Sequence, residues 1–213
     1  MIGLYAIVAD APRQAAGSRG EPLQTIQLEG FSALAGEAPP PLSVESLRAH
    51  EAAVRRIAEA VEACLPARFG AAASDTDTLR RALADRAEEL RQALALVRGR
   101  EQMTLRIHGP GAATAALSAK EGGAGTRYLE ERRRARQLPE IDPLRRALAG
   151  LVRAERIERH SEPGLLASVY HLIDRGAAPA YARAIGEIPL EELRVAVSGP
   201  WPAWSFAPEV ALP

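Results

Sequence analysis

Few residues in this chain could do chemistry: four histidines, one cysteine and, among 27 basic residues, a single lysine, Lys120. His50 is the sharpest candidate for a catalytic or ligand role, because it falls on the apolar stripe Leu47, His50, Val54, Ile57, Val61 of an expected helix. Glu51 beside it points about a quarter-turn away, so the pair makes no His-Glu-x-x-His zinc site. The structural alternative for His50 is a partly buried imidazole held by a backbone carbonyl. His108, His160 and His171 fall in separate elements without metal-ligand spacing. Cys64 has apolar neighbours and no second cysteine, which fits an inert buried thiol in a reducing compartment. Gly109-Pro110-Gly111 and Gly122-Gly123-Ala124-Gly125-Thr126 are glycine-rich, but a phosphate loop needs Lys-Ser/Thr opening a helix, and Lys120 is followed by Glu121. Ser168 and Ser198 stand outside any nucleophile elbow. These residues converge on no acid, base or metal set, so the expectation is no enzyme, no metal and no cofactor. The alternative is a small enzymatic or ligand-binding domain, because fold alone does not fix function.

Two other constellations could bind rather than react. Arg132-Arg133-Arg134 with Arg136 could grip RNA or an acidic partner, but Glu130, Glu131 and Glu140 flank it and no aromatic residue is interleaved to stack bases. A solvated helix face laced with ion pairs is the expected state, without nucleic acid. At the C-terminus, Ser198-Gly199-Pro200-Trp201-Pro202-Ala203-Trp204-Ser205-Phe206 holds both tryptophans of a chain that is only 4% aromatic. An extended tail of this kind can press its rings onto a core as a clasp on the last strand. It can also offer Trp201, Trp204 and Phe206 to a hydrophobic partner, since Trp dominates interface hot spots.

The elements that must position these residues follow from pattern. Gly3 to Ala9 reads as a central strand, Ala11 to Pro22 as a loop, and Thr25 to Glu29 and Phe31 to Leu34 as strands meeting at Gly30. Ser43 can cap the helix that carries His50. Leu65 to Gly70 is a short strand or extended turn. Ser74 to Asp77 can cap a second helix with the stripe Leu79, Leu83, Ala87, Leu90, Leu94, Val97, stopping at Gly99. Met103 to Ile107 alternates as a strand does. A small-residue loop spans 112–124 and a charged helix starts at Arg127. Asp142-Pro143 restarts a helix with Leu144, Leu148, Leu151 and Ile157 on one face. Gly164 to Ile173 is a strand, Ala178 to Ile185 a helix, and Leu193 to Ser198 the last strand, which Gly199-Pro200 should end.

Strands and helices thus alternate twice, giving an α/β (α+β) fold of two small domains: 1–100, and 101–213 with the Trp-rich tail. The second, with room for one further strand, suits a modified ferredoxin-like sheet with helices on one face. No fixed-period repeat appears. Formal net charge is zero, from 27 basic and 27 acidic residues, so no global field draws the chain to nucleic acid or anionic lipid, and a homo-oligomer is permitted. The N-terminal run lacks a basic region and reads as no signal peptide, and no apolar run nears the ~18 residues of a membrane span.

The tail resembles the C-terminal signature of the gas vesicle protein F/L family, Gly-Pro-Trp-Pro-Pro-Tyr-Ser-Phe, with Ala203 in place of a Pro and Trp204 in place of a Tyr. Further islands are similar in order along the chain: Tyr5-Ala6-Ile7-Val8; Leu65-Pro66-Ala67-Arg68-Phe69-Gly70; Glu101-Gln102-Met103, where Gln102 departs from a common Trp; Gly125-Thr126-Arg127-Tyr128-Leu129; and Leu172-Ile173-Asp174-Arg175. The resemblance implies two α/β domains, the second a modified ferredoxin-like one. It also implies a non-catalytic minor structural or assembly protein of cytoplasmic gas vesicles that binds the small hydrophobic shell protein and works with other assembly proteins. It marks Arg68, Phe69, Arg127, Tyr128, Trp201, Trp204 and Phe206 as the candidate partner-binding or structural signature.

Overall fold

The structure is a computed structural model that describes residues 1–109, 141–160, 164–189, 193–210 and 212. It divides into two compact units, one of Met1–Glu101 with Trp201–Pro213, the other of Gln102–Pro200. The sequence places the aromatic tail in the second domain; its contacts gather it with the first.

The first unit is built on a five-stranded antiparallel sheet. Strands β1 (Ile2–Val8), β2 (Gln24–Leu28), β3 (Phe31–Glu37) and β4 (Cys64–Pro66) lie in the order β2-β3-β1-β4, and β5 (Ala72–Ala73) also pairs with β1. β1 is buried along Gly3–Val8, which suits a central strand covered on both faces. Helix α1 (Val44–Ala60) starts at a reciprocal cap: the Ser43 hydroxyl accepts from the Ser46 N–H while Ser46 Oγ accepts from the Ser43 N–H. Its buried face, Ala53, Val54, Ile57 and Ala58, packs with Tyr5, Ala6, Val8 and Leu34 of the sheet.

The stripe from Leu79 to Val97, expected as one helix, is two: α2 (Thr76–Ala84), capped by Asp75, and α3 (Ala87–Val97). Arg86 leaves helical dihedrals between them (φ −117°, ψ 17°). Both halves bury leucines four residues apart, Leu79 and Leu83, then Leu90 and Leu94, so the apolar pattern runs through a break marked by neither Gly nor Pro.

The second unit comprises β6 (Arg100–His108, entering from the boundary), α4 (Asp142–Leu148), β7 (Val152–Arg159), β8 (Leu165–Asp174), α5 (Ala178–Gly186) and β9 (Arg194–Trp201). The sheet order is β7-β8-β6-β9. Among the described residues this is a β-α-β-β-α-β ferredoxin-like arrangement. Met103, Leu105 and Ile107 of β6 and Ala167, Val169 and Ile173 of β8 meet Leu144, Leu148, Tyr181 and Ile185 of the two helices in one core, so α4 and α5 cover one face.

Two expectations fail here. Ile157 lies on strand β7, not on a continuing helix. β7 is an edge strand carrying Arg153, Glu155, Arg156, Glu158 and Arg159; such charges guard an edge against unwanted pairing, yet Ala, Arg and Glu also favour helices. Its pairing with β8 from Val152↔Ile173 to Arg159↔Ala167 overrides that propensity. The last strand also runs through Gly199-Pro200 to Trp201, which an edge strand tolerates because the missing N–H need not face a neighbour. Gly199 has φ +126°, and a Cβ there would meet the Gln102 carbonyl at 2.8 Å and Met103 Sδ at 2.9 Å, so only glycine fits. The charged helix from Arg127 and the loop before it lie outside the described residues, with Arg127, Tyr128 and the Arg132 cluster.

Candidate functional site

His50 sits at 7% exposure, and its Nε2–H donates to the Ala67 carbonyl at 2.9 Å. The carbonyl can only accept, so this nitrogen carries the proton. Burial lowers the imidazole pKa against the effect of that bond, leaving His50 neutral near pH 7. Rings surround it: Tyr5 stacks at 5.0 Å, Phe69 meets it edge-on at 5.7 Å and Trp204 lies tilted at 6.5 Å. The carbonyl-held histidine is therefore the form that the structure adopts, and His50 serves as one wall of an aromatic cluster.

That cluster adjoins a groove. Leu4 and Ile7 of β1, Leu65 and Pro66 of β4, Leu90 of α3 and Trp204 form its body. Arg68 and Ala71 edge it on one side, and Ala207–Val210 make the other wall, around about 370 Å³. Gly70 lets the chain turn after Arg68 and Phe69, at φ +87°. The tail is anchored by a 3₁₀ turn, Trp204–Phe206, which sits against β4. Phe206 is 1% exposed, and Trp204 packs against the core shared by β1 and α1. Trp201 lies under the Arg55 guanidinium, 4.8 Å from the ring centroid.

The rings of the expected clasp thus bear on α1 and β4 of the first unit. Arg68, Phe69 and Trp204 come together around His50 and the groove; Trp201 and Phe206 flank it as anchors. Sequence reasoning missed the residues after Phe206, while Leu90 is the buried stripe residue it expected. The signal for the residues after Phe206 was Pro208-Glu209-Val210, an acid set among apolar residues. The Glu209 carboxylate meets Arg68 Nη2 at 2.7 Å, and Arg86 Nη1 donates to the Glu209 carbonyl oxygen. The Arg68–Glu209 pair is exposed on both sides, so it contributes only ~0–1 kcal/mol.

A second polar constellation lies in the ferredoxin-like unit. His171, 2% exposed, bonds Tyr181 Oη through Nδ1 at 2.7 Å and Glu155 through Nε2 at 3.1 Å, and Arg145 joins Glu155 to Asp142. The hydrogen bond from His171, with Arg145, holds the Glu155 carboxyl below its usual range despite burial, while burial pushes the Tyr181 phenol above its own. This chain links α4, β7, β8 and α5. Elsewhere in the sheet, Arg153 forks onto Asp174 at 2.6–3.1 Å, giving the Asp of Leu172-Ile173-Asp174-Arg175 a structural partner. Cys64 is buried. No group of three or more His, Cys, Asp or Glu among the described residues could hold a metal. No described helix is long and apolar enough to cross a membrane.

Fold and site define a two-unit mixed α/β protein whose C-terminal tail returns to wall an apolar groove on its first sheet. The family described as "Gas vesicle synthesis protein GvpL/GvpF" matches residues 2–208, and the chain belongs to that family. Two solved structures share the fold. The gas vesicle protein GvpF from Anabaena sp. PCC7120 is 19% identical, with a TM-score of 0.73 over 99% of this chain and 97% of that one. GvpF from Microcystis aeruginosa is 17% identical, with a TM-score of 0.72 over 98% of this chain and 99% of that one. No curated protein sequence matches this one significantly. Membership of a structural and assembly family gives the chain a role in gas vesicle assembly.

Proposed function

We propose that this chain holds the small hydrophobic shell protein of the gas vesicle in the groove beside Trp204 while the vesicle wall forms, acting in the cytoplasm and at the vesicle itself. The observation that supports this reading is the groove: it lies against the buried apolar side chains Leu4, Ile7, Leu65 and Leu90, its half-buried lining is Ala71, Trp204, Ala207, Pro208 and Val210, and its charged side chains are Arg68 and Glu209. Such a surface suits an apolar segment that would otherwise aggregate in water, because burying it removes apolar area from solvent at ~25 cal/mol per Å². His50 meets Trp204 and is itself met by Phe69, and Trp201 and Phe206 fix the tail. In this account the work is binding without chemical transformation, and other gas vesicle assembly proteins are the further partners.

The test is co-expression with the cognate shell protein and pull-down at low and high salt. Capture that survives high salt and drops in Ala71→Asp, at a half-buried position of the groove lining, with folding checked by circular dichroism, is the expected result. Undiminished capture by a folded Ala71→Asp would remove the groove from shell binding.

A further inference from the structure

We infer that Ala207–Val210 is a displaceable strap, and that the segment the groove accepts is apolar with one carboxylate, which takes the place of Glu209 on Arg68. This rests on the docking role proposed for the groove. The strap lines the groove, whose apolar residues Leu4, Ile7, Leu65 and Leu90 are buried while it is in place, and its hold is uneven. Up to Phe206 the tail is locked: Pro202, Ala203 and Phe206 are buried, and the N–H groups of Phe206 and Ala207 both donate to the Ala203 carbonyl. Beyond Ala207, Glu209 holds the strap through its carboxylate on Arg68 and its carbonyl oxygen on Arg86.

Arg86 also forks onto Glu89 in the first turn of α3 through Nε and Nη2, at 2.9 and 2.6 Å, so its charge is answered there. Arg68 is different. Its guanidinium is 77% exposed, sits at the mouth of the groove and has Glu209 as its ion-pair partner. When the strap swings out, an apolar groove with one arginine fork at its edge is left open. A guanidinium fork matches a carboxylate bidentately, so charge complementarity selects an acid at that end of the occupant. The strap shows the same chemistry in this chain: Ala207, Pro208 and Val210 flank a single Glu. Strap and partner then compete for one cation, and the cost of opening lowers the apparent affinity of the intact protein.

The experiment uses the full chain carrying Trp201→Phe, so that Trp204 in the groove wall is the only indole, with calorimetry on the unsubstituted chain as a control. The probes are decanoate and decanol, which share an alkyl chain and differ in the carboxylate. The exposed positions Arg68 and Glu209 are varied singly, Arg68→Gln and Glu209→Gln. Both probes are expected to alter Trp204 emission. Glu209→Gln should tighten both probes by about two- to fivefold, because it loosens the strap, and Arg68→Gln should tighten decanol by a similar factor while weakening decanoate relative to decanol. Equal responses to decanoate and decanol in all three chains would overturn the carboxylate exchange and leave the docking role standing. No Trp204 response to either probe would overturn both.

Discussion

At the residue scale, the aromatic signature acts first as structure. Trp201 is half-buried beneath Arg55, so Trp201→Ala should lower stability by ~1–3 kcal/mol through lost packing and cation–π attraction, read as a fall in melting temperature. An unchanged melting temperature with lost shell capture would instead make Trp201 a contact residue. Glu155 carries a pH dependence. Its folded pKa is lowered, first by the bond from His171, so the ionised form stabilises the fold above the ordinary carboxylate value of about 4.3, and that contribution is lost as pH falls through the lowered one. Glu155→Gln should cost ~1–3 kcal/mol near pH 7 and shrink the difference between melts at pH 7 and at about pH 3. An unaltered acid limb would show that other carboxylates govern acid unfolding. His50 behaves in the same direction at higher pH. A depressed histidine pKa means that the unfolded chain binds the proton first, so stability declines as pH drops below about 6.5, and less so in His50→Gln.

At the element scale, the start of α2 depends on Asp75, whose carboxylate accepts the Thr78 N–H at 2.8 Å. Asp75→Ala should lower the denaturant midpoint, whereas Asp75→Asn should lower it much less. A cap is legible in sequence because it is local, and so were the Ser43 cap, the His50 stripe and the β2–β3 hairpin around Gly30. What sequence hid was non-local. β7 resembles a helix until β8 pairs with it, and the α2–α3 break leaves the leucine rhythm intact. The His171 network joins four elements, one of them misassigned from its composition, so no spacing could announce it. Arg68 and Trp204 were legible only as words of a signature; that they share one groove depends on the tail returning to β4, across more than half the chain.

At the scale of the whole molecule, the family match gives a role in gas vesicle assembly, and the proposed place of that role is the groove. The account's central claim is that the shell protein docks at this groove. It is tested most directly by a photo-crosslinking residue placed at Ala71, on the groove edge, with a second chain carrying it at exposed Arg183 of α5, each co-expressed with the shell protein and irradiated. The account predicts a shell-protein adduct from position 71 and none from position 183. An adduct from position 183 alone, or none from position 71 in a chain that still captures the shell protein, would contradict it.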